Sequence, residues 1–242
     1  QEMPDIKTLY DTYSEDELAI VLVHVWDGEN ADYTPESDDL PWSMEPEHKV
    51  TIEDVKYVLS SYYQGTPFNP YARHGEADKR GMYRPIGINR NCFMAITQLR
   101  PYMPEELMSV EWISVGSNAF NEAIPFYTNV TTTPDYLANT GAVPTTENFY
   151  WANRMIGALA DAHYATCIAH VERYQKNLAA KSHEILAAFD AGCAREKDVH
   201  AYLEEGNQRI ADEAKRQTDD LMSKVLHTSS SEMKNAFSRA DA

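Results

Sequence analysis

From about Glu147 onward glycine and proline nearly vanish, and alanine, leucine, glutamate and lysine take their place. A stretch that long without helix breakers has little choice but to be helical. Phe149, Ala152, Ile156, Leu159, His163, Cys167, His170, Tyr174 and Leu178 recur at helical spacing and mark one apolar face. Asp190-Ala191-Gly192 breaks the pattern, with Gly192 placed as a C′ residue. A second long helix is expected from about Glu196 to Leu226, with a polar, fraying tail after Thr228. Two amphipathic helices with a short connection pack antiparallel, so residues 147–242 read as a long C-terminal helical hairpin.

Residues 1–146 read differently. After an acidic, irregular lead, Leu18–Trp26 (L-A-I-V-L-V-H-V-W) is a continuous β-rich run suited to a buried strand, with His24 a core histidine rather than a ligand. Asp27–Pro46 is an acidic loop. A helix near 51–63 follows, with Thr51 as N-cap and Asp54 at N3 in a variant capping box. Cys92–Leu99, Ser109–Val115 and Ala123–Val130 read as strands of an antiparallel meander, and Pro134–Ala138 as one helical turn behind Thr133. The class is therefore α+β: a strand-rich part over 1–146, with helices of 147–242 packing on it in the same domain.

Between helix and meander lies a Gly- and Pro-broken segment, Gln64–Pro101, that is locally basic. Arg73, Lys79, Arg80, Arg84, Arg90 and Arg100 outnumber Glu76 and Asp78 there, although the whole chain of 242 residues carries a formal net charge of -17. A positive loop feeding a buried strand in an acidic protein is a place to hold a carboxylate. The plainer reading is a surface loop whose arginines pair with the excess acid. The acidity argues against nucleic acid or an anionic membrane as partner. The longest apolar run is too short to span a bilayer. Three widely spaced cysteines are no disulfide framework, which points to a reducing compartment and a cytoplasmic setting.

Few constellations could carry chemistry. His163, Cys167 and His170 lie at i, i+4 and i+7, a legal zinc spacing, but the same face carries Ile156, Leu159 and Tyr174, so a packed seam is the better reading and no metal is expected. Cys92 follows Asn89, Arg90 and Asn91, where arginine could favour a thiolate; its place before Phe93 and Met94 argues instead for a buried, inert thiol. There is no nucleophile elbow, phosphate loop or dinucleotide fingerprint.

Longer strings say more. G-T-P-F-N-P-Y (65–71), R-H-G (73–75), R-G-M-Y-R-P-I-G-I-N-R-N (80–91) and Q-L-R-P-Y-M-P (98–104) come first. E-W-I-S-V-G-S-N-A-F (111–120), P-F-Y-T-N-V (125–130) and N-F-Y-W-A-N-R-M-I-G-A-L-A-D-A-H-Y (148–164) follow. Together they resemble peptidase family C69, cysteine dipeptidases of the dipeptidase A type, over nearly the whole chain.

The resemblance implies an N-terminal-nucleophile hydrolase, an αββα sandwich of two antiparallel sheets between helices, needing no cofactor. It implies a cysteine at the mature N-terminus as nucleophile, its own α-amino group as base, and an acyl-enzyme released by water. This chain begins at Gln1, and none of Cys92, Cys167 or Cys193 is N-terminal. The strings align with the C-terminal half of the family. The expectation is a C-terminal portion whose nucleophile lies upstream, inactive alone, with the N-terminal half of the same protein as partner and a dipeptide as substrate of the full-length enzyme. In related linear-amide hydrolases an arginine of the later half helps position the nucleophile; the resemblance implies that either Arg84 or Arg90 contacts the nucleophile or the substrate carboxylate. Tyr83, Asn89, Ser117 and Asn118 are candidate substrate contacts from nearby loop ends, with turn chemistry the plainer alternative. Half of a two-sheet core would expose apolar surface, so self-association into a homo-oligomer is expected. Two other readings stay open: a non-catalytic helical interaction or dimerisation module, and an amidase of the same superfamily acting on other linear amides.

Overall fold

The computed structural model of the protein describes Asp38 and residues 49–234. The expected strand Leu18–Trp26, His24 and most of the acidic loop lie outside the described residues. The chain divides into two compact units, Gln1–Val55 and Lys56–Ala242. In the first, the described residues hold the start of helix α1 (Ile52–Leu59). Its capping box forms as expected: Asp54 N–H donates to Thr51 Oγ1 (3.2 Å) and Thr51 N–H donates to Asp54 Oδ2 (2.8 Å). The helix is shorter than the expected 51–63 and stops at Leu59.

The second unit contains a three-stranded antiparallel sheet, β1 (Phe93–Leu99), β2 (Ser109–Val115) and β3 (Ile124–Tyr127), paired in that order. Phe93 pairs with Val115, Ala95 with Ile113, Thr97 with Glu111, and Glu111 in turn with Phe126. Directly paired residues share a face. One face therefore carries Met94, Ile96, Val110, Trp112, Ser114 and Tyr127, and the helices cover it. The other carries Phe93, Ala95, Leu99, Glu111, Ile113, Val115, Ile124 and Phe126; all but the buried Ile124 are half-buried or exposed.

The third strand ends at Tyr127 rather than Val130 because a helix takes over its hydrogen bonds. Asn207 Oδ1 accepts from Tyr127 N–H (2.8 Å), and Asn207 Nδ2 donates to Tyr127 C=O (3.0 Å). One carboxamide thus stands in for a fourth strand, satisfying both buried main-chain groups. Beyond it, Thr131 and Thr132 N–H both donate to Glu204 Oε1. The Thr131 hydroxyl, donating to the same oxygen (2.7 Å), and then these N–H bonds hold the Glu204 carboxyl below the ordinary glutamate range. Pro134–Ala138 is a turn closed by Ala138 N–H on Pro134 C=O (3.1 Å).

Helices α2 (Phe149–Ala162), α3 (Tyr164–Gly192) and α4 (Val199–Ser231) follow. Residues 147–192 do not form the single helix their periodicity suggests. His163, at φ -124° and ψ 38°, breaks them into two. The apolar spacing runs on through the break, so periodicity alone could not reveal it. Just past it, Tyr164 stacks on Tyr71 (centroids 4.2 Å apart) and its hydroxyl meets that of Tyr62 (2.9 Å), fastening the Gln64–Asn91 loop to the helices.

The hairpin of α3 and α4 forms as expected, capped by Asp198, whose Oδ1 accepts from Ala201 N–H. Gly192 is not the left-handed C′ residue expected of it: its φ is -83° and the chain runs on into a 3₁₀ turn, Cys193–Arg195. The glycine serves a close approach instead, since a Cβ there would stand 2.0 Å from the Tyr202 hydroxyl. The core joins Phe120, Ile124, Phe149, Ile156, Val171, Leu178, Ile210 and Leu221, drawn from the sheet, its loops and all three helices.

Candidate active site

The basic loop distributes its charges rather than pooling them. Arg100 is buried and grips Asp190 through two bonds, Nη1 to Oδ2 (2.6 Å) and Nη2 to Oδ1 (3.1 Å), while Nε and Nη2 also donate to Leu107 C=O. It ties β1 to the end of α3 and is unavailable to a ligand. Arg80 donates to Ala72 C=O, and Lys79 pairs with Glu76. Arg73, Arg84 and Arg90 are exposed. Among the described residues, no hydrogen bond holds Arg84 or Arg90.

What converges lies at one end of the sheet, where the loop before β1 meets the Gly116–Glu122 turn after β2. Gly116, at φ +79°, opens that turn in a conformation only glycine adopts without strain. Asn89 C=O accepts from Ser117 Oγ (3.2 Å) and from Arg154 Nη1 (2.6 Å), and the same Nη1 lies 3.4 Å from Ser117 Oγ. Asn91 Nδ2 donates to Ile86 C=O (2.8 Å) and reaches Asn118 Oδ1 (3.3 Å); Asn118 Nδ2 donates to Leu59 C=O (2.7 Å). Helix α2 presses close behind, for a Cβ on Gly157 would stand 3.0 Å from Ser117 Oγ.

Three of the sequence candidates, Asn89, Ser117 and Asn118, are therefore brought together. Ser117 and Asn118 are buried, and the Asn118 carboxamide is occupied by main chain at its donor end. Tyr83 packs instead on Phe68 (centroids 4.9 Å apart) and Tyr63, on another part of the loop.

Arg154 is the residue that sequence reasoning missed. It sits in α2, and its hydrogen bonds among the described residues run only to neutral oxygens. No local signal marks it: N-R-M-I-G reads as ordinary helix, and its partners Asn89 and Ser117 lie 65 and 37 residues away.

Cys92 is at the same end, and its thiol is exposed rather than buried as its apolar neighbours suggested. The reason is position. Cys92 lies just before β1, outside the strand, and its Sγ meets Arg90 C=O (3.5 Å) rather than the core that Met94 enters. Tyr150 Oη lies 4.0 Å from Cys92 Sγ, and burial, then the thiol, push the Tyr150 phenol up while Arg154 opposes them. His163, Cys167 and His170 form no common site: His163 pairs with Glu232 (2.5 Å), and Cys167 is buried in the helical seam, where burial raises its thiol. Among the described residues no cluster of ligands could hold a metal, and no helix is long and apolar enough to cross a membrane.

The uncovered sheet face adjoins this end. Phe93, Glu111, Ile113, Val115, Ile124 and Phe126, together with Thr133, Leu137 and Phe149, line a hollow of about 260 Å³ there, and the paired Phe93 and Val115 directly follow Cys92 and precede Gly116. The arrangement offers a fixed guanidinium beside a main-chain carbonyl and a hydroxyl, at the end of the sheet where Phe93 and Val115 also reach the apolar hollow. It can hold an anionic or polarised carbonyl oxygen.

The sequence of this α+β chain, with a cation set at the end of a partly covered antiparallel sheet, places it in a family. Residues 12–177 match the description "Peptidase family C69", and the chain belongs to that family. It is 43% identical over 257 residues to a protein named "Dipeptidase" from Bifidobacterium longum, covering 90% of this chain and 48% of that protein. It is 44% identical over 207 residues to "Probable dipeptidase A" of Streptococcus pyogenes, covering 86% of this chain and 43% of the relative. "Dipeptidase A" of Lactobacillus helveticus is 32% identical over 200 residues, 80% of this chain and 41% of the relative. The chain thus spans less than half the length of each of these relatives.

Proposed function

We propose that this chain forms part of a cysteine dipeptidase of the N-terminal-nucleophile type, contributing one sheet, its covering helices and the supporting end of the active site. The nucleophile, an N-terminal cysteine, is supplied from outside the chain, and the chain alone is inactive. The observation that carries the reading is Arg154, pinned by Asn89 and Ser117 at the open end of a sheet with one uncovered apolar face, in a chain whose relatives are named dipeptidases.

Each part then has a task. The uncovered face receives the second sheet of an αββα sandwich, supplied by the N-terminal half of the same protein. Arg154 faces the thiolate or the substrate carboxylate, with Arg84 and Arg90 as further cations near the mouth. Asn89, Ser117 and Asn118 frame the guanidinium rather than touch substrate, and Tyr83 walls the loop. The thiolate attacks the dipeptide carbonyl, the α-amino group takes the proton, and water releases the acyl group. No cofactor enters the scheme, and the setting is cytoplasmic. The uncovered face equally supports a second reading, a non-catalytic module that associates through it.

Dipeptide hydrolysis by the chain alone, beside the complete gene product, separates the readings. Activity confined to the complete product and abolished by a thiol reagent is the expected result. In that product Arg154→Ala should lower kcat/KM about a hundredfold, more than Arg84→Ala or Arg90→Ala. Unchanged hydrolysis in all three variants would sink the arginine assignment, and activity in the chain alone would transfer the nucleophile to Cys92.

A further inference from the structure

The turn that carries Ser117 and Asn118 is also fastened from α3, by two adjacent residues. Gln175 Nε2 donates to Ala119 C=O (3.2 Å) and to Asn121 C=O (2.9 Å). Tyr174 Oη donates to Asn121 Oδ1 (2.9 Å). Asn121 passes that contact on to the backbone: its Nδ2 donates to Val115 C=O (2.6 Å), and its Oδ1 also accepts from Glu122 N–H (2.7 Å). One carboxamide therefore bridges both ends of the turn, and one phenol holds the carboxamide.

Proton counting shows why the phenol matters. It has a single proton and three oxygens in reach: Asn121 Oδ1 at 2.9 Å, Thr218 Oγ1 at 3.4 Å and Asn153 Oδ1 at 3.5 Å. Asn153 spends its Nδ2 on Phe149 C=O, which leaves only its acceptor facing Tyr174, and Thr218 spends its hydroxyl proton on Ala214 C=O (2.6 Å). The shortest contact takes the phenol proton. All of these side chains are almost wholly buried, so water cannot replace the bond if it is lost.

We infer that Tyr174 is a positioning residue of the site: through Asn121 it sets the Gly116–Glu122 turn, and through Ser117 the place of the Arg154 guanidinium. The inference rests on the dipeptidase reading above. Shifts of about 1 Å at a reacting centre cost on the order of a hundredfold in rate, so a brace behind a turn can matter without touching substrate.

The test compares Tyr174→Phe with Thr218→Val. The second removes a neighbouring hydroxyl from the same pocket but one that touches no atom of the turn. In this chain, amide exchange at Glu122 should speed about tenfold in Tyr174→Phe and stay unchanged in Thr218→Val. In the complete gene product, Tyr174→Phe should lower kcat about tenfold with KM within about twofold of the parent, while Thr218→Val keeps the parental kcat. Parental exchange at Glu122 or parental kcat in Tyr174→Phe would overturn the inference, as would an equal loss of kcat in Thr218→Val. An unsubstituted gene product that hydrolyses no dipeptide removes the dipeptidase reading first, and the inference with it; that outcome is seen before any variant is made.

Discussion

The two faces of the sheet have the same pairing and opposite fates. On the helix side Trp112, Val110 and Tyr127 are at most 1% exposed. On the other side Phe93 is 60% and Leu99 70% exposed, although both are as apolar as their counterparts. The helix side is also where polar groups are matched. Lys56 lies over the Trp112 ring (4.9 Å) and pairs with Glu122 (2.6 Å), and Tyr127 Oη meets Asp190 Oδ1 (2.8 Å) beside Arg100. Burial and the Asp190 charge push the Tyr127 phenol up. Buried charges that are paired this way are costly to break and fix one geometry. Among the described residues the open face shows no such network. It is a surface with an apolar composition, which is what a sheet looks like before its partner is added.

Paired substitutions sharpen that contrast. Trp112→Ala should destabilise the chain by about 4 kcal/mol, combining lost burial with a cavity, whereas Phe93→Ser should change stability by less than about 1 kcal/mol. Phe93→Ser should reduce self-association measured by sedimentation. Urea melts that showed equal losses for both would mean the two faces are equally covered in solution. Next in size is Asn207→Ala, which leaves both main-chain groups of Tyr127 buried and unpaired at the edge of β3. A loss of about 2–3 kcal/mol is expected, and a melt within 0.5 kcal/mol of the parent, about the range of a neutral surface change, would show the edge reaching another partner.

The smallest effect is electrostatic. The Glu204 carboxyl is held below its ordinary range by the Thr131 and Thr132 donors. A depressed carboxylate stabilises the fold above its unfolded pKa, and that contribution is lost as pH falls through the folded value. The melting-temperature gap between parent and Glu204→Gln should therefore be widest near neutrality and close below about pH 4. A gap that grows on acidification would reverse the assignment.

Much of this was readable in the chain. The capping box at Thr51 needs only residues three apart, and the strands at 93–99 and 109–115 differ from expectation by one residue at most. The helical hairpin followed from composition. The misses share one cause. Cys92 has apolar neighbours, yet it precedes β1, and only the folded loop before the strand leaves its thiol exposed. The helix break at His163 interrupts no periodicity. Arg154 lies about 65 residues from Asn89, the carbonyl it grips, and no local pattern reports such a meeting.

The amino-acid sequence by itself determined the element types, the antiparallel meander and the family, because these rest on short-range periodicity, turn chemistry and long distinctive strings. Only the tertiary structure decided that Arg100 is spent on Asp190, that Asn207 closes the sheet edge, and that Arg154 rather than the loop arginines stands beside Ser117. Those are contacts between segments far apart in the chain, chosen by which buried polar groups must find partners once the core has formed.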